Sequence, residues 1–192
     1  MYRFRLMFWV LNCGFKWAYS MSMFKTYDDY TFTPLNKSLF PLIENWLKES
    51  HLIEFWDDIS CWEESYEHYL FRTSPHIVKQ FIVYFESQPI GYIQYYFANK
   101  LGYDWWLGYP DSVVGIDKYI RNPKYLGHGH GHRMIKAFIQ FVCHQYPITK
   151  VITDPSPENL RAIKCYEKVG FMAKKNLKTP DEDAVLMEYP IT

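Results

Sequence analysis

The chain lacks several features that mark common classes of ligand-binding protein. It has no excess of either charge, with 21 Lys and Arg residues against 21 Asp and Glu residues, so it lacks the basic surplus on which nucleic-acid binding draws. Its four cysteines, Cys13, Cys61, Cys143 and Cys165, form no C-x-x-C pair, which favours reduced thiols in a cytoplasmic protein. No apolar run reaches the roughly 18 residues of a membrane span.

Aromatic and apolar residues, by contrast, are abundant. Aromatic side chains make up 20% of the 192 residues and apolar side chains 48%, which excludes a disordered chain. A chain of this length buries roughly two-thirds of its unfolded surface without disulfides or a structural metal. We therefore expect a single domain over residues 25–192.

Residues 1–24 differ from the rest and are predicted to be an extension outside that domain. Arg3 and Arg5 precede an apolar run over residues 6–11, and small residues follow at 18 and 20. This pattern is compatible with a secretory signal. The alternative is a disordered or mis-assigned start, with initiation at a later methionine.

Hydrophobic periodicity predicts a mixture of strands and helices. The predicted strands cover residues 30–35, 77–85, 90–97, 113–120, 150–153 and 184–189, with the second and third forming an antiparallel hairpin. The predicted helices cover residues 39–47 and 134–142, and a third runs from an N-cap at Ser156 to Gly170. The fold class is therefore α+β (mixed α/β).

A glycine-rich loop precedes the second predicted helix. Gly127, Gly129 and Gly131 alternate with histidines, which lets backbone N–H groups approach a ligand closely. The unpaired N–H groups of a helix start favour a phosphate or diphosphate. The spacing matches neither a Walker A loop nor the G-x-G-x-x-G dinucleotide motif.

The residues between and after these glycines allow more than one interpretation. His128, His130, His132 and Arg133 are predicted to assist phosphate binding, because each can donate hydrogen bonds to phosphate oxygens. A metal site is the alternative, and it would make the protein a non-catalytic metal- or nucleotide-binding module. No cysteine or carboxylate lies nearby in the sequence to complete a tetrahedral metal site. We therefore predict no metal.

A second motif follows the loop. Asn159, Ala162, Tyr166, Gly170 and Phe171 occur at helical spacing. Together with the glycine loop, this pattern resembles the GNAT superfamily of N-acetyltransferases. The resemblance implies the GNAT acyl-CoA N-acyltransferase fold, in which helices flank a mostly antiparallel mixed sheet.

The same resemblance implies acetyl-CoA as the co-substrate, with its diphosphate held by the glycine loop. One position departs from the family pattern, because Leu126 stands where Gln or Arg is usual. The backbone N–H donors of the loop do not depend on that side chain.

Further segments are similar, in the same order, to aminoglycoside 6′-N-acetyltransferases. They are residues 50–56, 89–92, 105–106, 115–117, 153–157, 159–171 and 179–181. Together they extend over nearly all of the predicted domain. The resemblance implies transfer of an acetyl group to the 6′-amine of an aminoglycoside, and hence antibiotic resistance.

The family pattern also implies individual roles. Asp117 corresponds to the base and Tyr166 to the acid that protonates the departing thiolate, while Asn159 contacts the cofactor. The implied substrate contacts are Asp104, Trp105, Asp154 and Asp181. The alternatives are a strand-end aspartate, a core tyrosine, a helix-capping asparagine and a tryptophan that only packs in the core.

The segment 54–67 carries six acidic residues and no Lys or Arg. It is predicted either to attract a polycationic substrate or to be a solvated helix surface. A rival within the superfamily acetylates a siderophore hydroxylamine or a lysine side chain, which needs fewer carboxylates. We expect a monomer or homodimer in the cytoplasm, where acetyl-CoA is available, with neither nucleic acid nor membrane as a partner.

Overall fold

The computed structural model describes residues 27–56, 78–101, 106, 108–179 and 183–192. These residues form a seven-stranded sheet in the order β1-β2-β3-β4-β5-β7-β6. Its strands are β1 (Tyr30–Pro34), β2 (Val78–Phe85), β3 (Gln88–Phe97), β4 (Val113–Ile120), β5 (Lys150–Thr153), β6 (Met172–Lys178) and β7 (Asp183–Pro190). The β4–β5 pair is parallel and the other pairs are antiparallel. The predicted α+β class is confirmed.

Helices cover both faces of the sheet. They are α1 (Phe40–Trp46), α2 (Ser50–Ile53), α3 (His130–Cys143) and α4 (Leu160–Val169). On one face, buried residues of α1 pack with Tyr92 and Tyr119. On the other face, buried residues of α3 and α4 pack with Val114 and Ile116. Successive residues of a strand point to opposite faces, so β4 contributes to both cores.

The predicted hairpin is present, with a tighter turn than the four residues expected. Glu86 and Ser87 alone connect β2 to β3, with Phe85 paired to Gln88. Both turn residues have positive φ, at 47° and 64°. This combination matches a type I′ turn, whose twist suits the twist of paired strands.

The sheet opens between β4 and β5. Only Val113, Val114 and Gly115 pair with β5, whereas β4 continues for five more residues. Strand β5 stops after four residues, and Pro155 follows without an N–H group to continue a ladder. The central sheet therefore contains a gap that both faces can reach.

Two local expectations need correction. Helix α4 begins at Leu160 and is capped by Asn159, whose Oδ1 accepts from the N–H of Ala162 at 3.0 Å, so the N-cap prediction for Ser156 was wrong. Strand β6 was not predicted at all. Strand β6 lies at the edge of the sheet. Six of its seven residues are exposed and only Leu177 is buried, so its sequence shows no apolar pattern.

Other predictions lie outside the described residues. They include the extension 1–24, most of the acidic segment 54–67, and the residues Asp104, Trp105 and Asp181. Within the part of the chain that the structure describes, no helix is long and apolar enough to cross a membrane.

Candidate active site

A cavity of about 900 Å³ lies where β4 and β5 separate. Its lining divides into two groups, which we name by their chemistry. The glycine side includes Gly127, Gly129, Gly131, His132, Lys118 of β4, Asn159, and the α4 residues Arg161, Cys165 and Tyr166. The acidic side consists of Glu54, Trp56, Gln94, Asp117, Tyr119 and Asp154. The gap in the sheet joins the two sides in one cavity.

The glycine side is built from backbone at the start of α3. Gly127 and Gly129 have φ values of 78° and 84°, in the left-handed region that glycine tolerates best. Gly129 is the N-cap residue of the fourteen-residue helix α3, and no side chain caps its first turn. The first N–H groups of the helix therefore suit an anionic group, as the sequence predicts.

Close packing between α3 and α4 also requires glycine. A Cβ atom on Gly131 would lie 2.8 Å from Sγ of Cys165, closer than real Cβ contacts. The absence of a side chain at 131 thus brings the two helices together at the cavity wall.

The structure separates the histidines that the sequence grouped together. His132 lines the cavity, where partial burial and the nearby Lys168 and Lys136 lower its pKa. His130 is buried, and its Nδ1 lies 2.8 Å from the hydroxyl of Tyr30. His128 is exposed. His130 and His132 are two residues apart on helix α3, about 200° around its axis, so they point in different directions.

The ring of His130 anchors the loop to the sheet. It contacts Phe85 and Tyr125 edge-on, at centroid distances of 4.6 and 4.9 Å. Burial is the main cause that lowers the pKa of His130, which favours the neutral ring. Arg133 extends over the Phe85 ring at 5.9 Å. The cavity lining includes neither of these two side chains nor that of His128, so their cofactor contacts remain predictions.

A metal interpretation finds no support in the described residues. No group of three or more His, Cys, Asp or Glu side chains there is arranged to hold a metal ion.

Tyr166 stands at the gap between β4 and β5. It is 4% exposed and lines the cavity from α4. Burial is the largest cause that raises its pKa above the ordinary value, and the nearby Asp117 and Asp154 act in the same direction. A hydrogen bond with Thr153 works the other way. The hydroxyl is therefore held in its protonated form and can donate a proton.

Asp117 ends a chain of buried polar groups. Gln94 donates from Nε2 to Oδ2 of Asp117 at 2.7 Å, and its Oε1 accepts from the Tyr92 hydroxyl at 2.6 Å. Oε1 of Gln80 lies 2.7 Å from the same hydroxyl. A hydroxyl carries one hydrogen and donates to one amide oxygen, so the second amide bonds it by turning its NH2 group inward. The chain fixes the carboxylate of Asp117 as an acceptor.

A cluster of three aromatic rings supports the acidic side. Trp56 contacts Tyr119 edge-on with ring centroids 4.7 Å apart, and Tyr119 stacks on Tyr92 at 5.2 Å. Nε2 of His51 lies 3.0 Å from the carbonyl oxygen of Ile120, which ties α2 to the end of β4. Trp56 is the least buried of the three rings and lines the cavity, so it can offer a face to a sugar or a cation.

The cavity joins several of the predicted site residues and adds others. Gly127, Gly129, Gly131, His132, Asp117, Asp154, Asn159 and Tyr166 all line it. Gln94, Trp56 and Lys118 also line it, but the sequence analysis gave them no role. Gln94 left one signal in the sequence: it is a glutamine within the otherwise apolar and aromatic residues 89–97 of β3.

Comparison with known proteins identifies the family. The family described as "Acetyltransferase (GNAT) domain" matches residues 38–179. The "Aminoglycoside N(6′)-acetyltransferase type 1" of Klebsiella pneumoniae is 35% identical over 169 residues, covering 83% of this chain and 82% of that protein. The "Kanamycin resistance protein" of Rhizobium radiobacter is 44% identical over 84 residues, covering 43% and 78%.

A solved structure gives the same result. The crystal structure of the aminoglycoside acetyltransferase AAC(6′)-Ib in complex with coenzyme A and kanamycin has a TM-score of 0.77 and 34% identity to this chain. The matched region covers 84% of this chain and 94% of the chain in that crystal structure. The expected GNAT fold and the resemblance drawn from the motifs are therefore confirmed, and the chain belongs to the GNAT family of acetyltransferases.

Proposed function

We propose that this GNAT acetyltransferase transfers the acetyl group of acetyl-CoA to the 6′-amine of aminoglycoside antibiotics and so confers resistance to them. The observation that carries the proposal is the single cavity that joins a glycine loop to Asp117 through the gap in the sheet. The acceptor is supported by the 35% identity to an aminoglycoside N(6′)-acetyltransferase over 83% of the chain.

The glycine side suits the co-substrate. The loop glycines and the uncapped start of α3 offer N–H donors for the diphosphate of acetyl-CoA, and the gap leads from there to Tyr166. The side-chain oxygen of Asn159 accepts a hydrogen bond from Ala162 in the first turn of α4. Its amide nitrogen is still available for the cofactor contact that the family pattern implies.

On the acidic side, Asp117 serves as the base. An alkylammonium group titrates near ~10, so the substrate amine is mostly protonated at neutral pH and has no lone pair for attack. Asp117 accepts that proton directly or through a water molecule. The bond from Gln94 supports this role, because it stabilises the ionised carboxylate.

Transfer then needs two further proton movements. The amine nitrogen bonds to the thioester carbonyl carbon and releases its second proton to solvent, the carbon–sulfur bond breaks, and its electron pair stays on sulfur. Tyr166 gives its hydroxyl proton to that sulfur and regains one from solvent. The raised pKa of Tyr166 supports a proton donor rather than a base. Holding the reactants in line contributes more than either group, since such positioning is worth roughly 7–11 kcal/mol.

A polycationic acceptor requires several separated carboxylates. Asp154 lines the cavity, and we assign Asp104, Trp105 and Asp181 to the same acceptor from the family pattern. The acidic residues of segment 54–67 strengthen the local attraction for cations. We place the enzyme in the cytoplasm, where acetyl-CoA is made, as one domain over residues 25–192 that acts as a monomer or homodimer.

The test measures release of the CoA thiol from acetyl-CoA with a panel of acceptors. We expect turnover with kanamycin and tobramycin, and loss of turnover with a gentamicin component whose 6′-amine is methylated. Replacing Asp154 or Asp181 by Ala should weaken kanamycin turnover. Preferred turnover of hydroxylysine, insensitive to both replacements, would instead identify an acetyltransferase for a single-amine acceptor.

A further inference from the structure

Two consecutive residues of β4 face the two sides of the cavity. Asp117 lies on the sheet face of α1, where it pairs with Gln94. Successive side chains of a strand point to opposite faces, and Lys118 accordingly lies against Tyr166 of α4. Both residues line the cavity beyond the point where β4 leaves β5. One strand thus presents an anion to one side of the gap and a cation to the other.

Lys118 has an unusual environment for a lysine. It is only partly exposed, and its Nζ lies 5.5 Å from the centre of the Tyr166 ring. Among the described residues, no carboxylate forms an ion pair with it. The ring offsets only part of the cost of removing a cation from water with no anion beside it. The position therefore suits a ligand with a negative charge.

The charged and titratable groups around Lys118 support the same conclusion. On α4 they are Arg161, Cys165 and Tyr166. Asp117 lies on the other face of β4, and Asp154, which follows β5, raises the pKa of Tyr166. Burial is the main cause that lowers the pKa of Lys118, the Cys165 thiol acts in the opposite direction, and Arg161 lowers the pKa further. Lys118 and Arg161 repel each other across the cavity, and a bound anion would offset that repulsion.

We propose that Lys118 stabilises the thiolate of coenzyme A as the thioester bond breaks. The proposal rests on the proposed function and adds a catalytic residue to it. The carbon–sulfur bond breaks with its electron pair on sulfur, the ammonium group of Lys118 offsets that charge, and the Tyr166 hydroxyl then transfers its proton to the sulfur. Lys118 acts in its ammonium form, which the negative charge on sulfur favours against the effect of burial, and it gives up no proton.

The thiolate is favoured over a phosphate for a geometric reason. The N–H donors that suit phosphates are at the loop 126–131 and the start of α3, whereas Lys118 contacts the ring of the proposed acid. When the carbon–sulfur bond breaks, the negative charge ends on sulfur, which is the atom that receives the proton of that acid. A fixed cation at a partly desolvated site is most effective where such charge develops.

The experiment compares wild type with Lys118→Met and Lys118→Arg, and uses the exposed Lys175→Met on β6 as the matched control. Affinities for coenzyme A and for acetyl-CoA are measured by calorimetry between about pH 6.5 and 9.5, a range that spans thiol ionisation. In wild type and in the control, coenzyme A binding should strengthen with pH relative to acetyl-CoA, by roughly tenfold. Lys118→Met should lose this gain, and Lys118→Arg should keep most of it.

Kinetics supply the second readout. Lys118→Met should lower kcat with kanamycin roughly tenfold without raising the acetyl-CoA KM. If Lys118→Met retains the pH-dependent gain, or loses acetyl-CoA affinity instead, the proposal is overturned. Failure of the wild type to bind or turn over acetyl-CoA would overturn the proposed function itself. Normal wild-type turnover with an unaffected Lys118→Met would overturn only the role of Lys118.

Discussion

The glycine side of the cavity presents backbone N–H groups and cations, whereas the acidic side presents carboxylates, amides and aromatic rings. Most of the glycine side comes from two short stretches, residues 127–132 and 159–166. The acidic side is assembled from residues as far apart in the chain as Trp56, Gln94, Asp117 and Asp154. The glycine side therefore depends on local backbone conformation, and the acidic side depends on how distant strands pair.

Loss of Asp117 tests this division most severely. We expect Asp117→Ala to lower kcat/KM for kanamycin by roughly 1,000-fold, because the substrate amine loses its base. Affinity for acetyl-CoA, measured by calorimetry, should not change, because the base lies on the acidic side. Asp111→Ala, an exposed carboxylate that pairs with Lys100, is the control. A matching loss of acetyl-CoA affinity would show that the two sides are not separate.

Loss of the Tyr166 hydroxyl should have a smaller effect. Tyr166→Phe is expected to lower kcat roughly 10- to 100-fold with little change in acetyl-CoA KM. Burial raises the pKa of Tyr166, so the hydroxyl stays protonated and wild-type kcat should show no alkaline loss from Tyr166 up to about pH 10.

The control variant is Tyr109→Phe. It removes a hydroxyl that lies outside the cavity and donates a hydrogen bond to Glu188 at 2.8 Å. Wild-type kcat in Tyr166→Phe would remove the assigned acid role.

Close packing at Gly131 tests the glycine side. A methyl group there would lie 2.8 Å from Sγ of Cys165, so Gly131→Ala should push α3 and α4 apart. Overpacking of this kind costs about 1–3 kcal/mol. We expect a lower Tm and an acetyl-CoA KM raised roughly tenfold, with an unchanged kanamycin KM.

The contact with Cys165 allows a double-mutant cycle. Cys165→Ala in the Gly131→Ala background should restore Tm and KM towards the Cys165→Ala single variant, because it removes the atom that the new methyl group meets. Purely additive effects would mean that the sulfur is not what limits residue 131.

The smallest effect is expected at Gln94. Gln94→Leu removes the donor to Asp117 and should lower kcat/KM for kanamycin roughly fivefold. The acid limb of the pH–rate profile should move to higher pH, because that bond favours the ionised carboxylate. Gln80→Leu, one link further from Asp117, should move the limb less. A lower kcat/KM with an unmoved acid limb would argue for packing alone.

The sequence predicted well where a few neighbouring residues determine the outcome. The hairpin was placed correctly, because apolar runs flank a short polar turn. The glycine loop was placed at the start of α3, because alternating glycines next to a helical pattern have few other structural uses. By contrast, β6 was missed, because an edge strand with one buried residue leaves no alternation in the sequence.

Side-chain direction was the least predictable property of the site. The histidines of the loop are similar as a sequence, yet His132 faces the cavity while His130 is bonded to Tyr30, one hundred residues earlier. The prediction of an N-cap at Ser156 was wrong for a related reason, because Asn159 offers an equally good cap three residues later. Local propensity does not distinguish such alternatives, and packing does.

The amino-acid sequence by itself provided the glycine loop and the Asn159–Phe171 motif, because these depend on residue types at short, fixed spacings. The resemblance of both motifs to the GNAT superfamily then implied Asp117 as the base and Tyr166 as the acid. The tertiary structure decided how the gap between β4 and β5 joins the glycine side and the acidic side in one cavity, and which groups surround Asp117 and Lys118. Those features depend on where a parallel strand pair ends and on which face each side chain takes, and both are set by long-range pairing and burial.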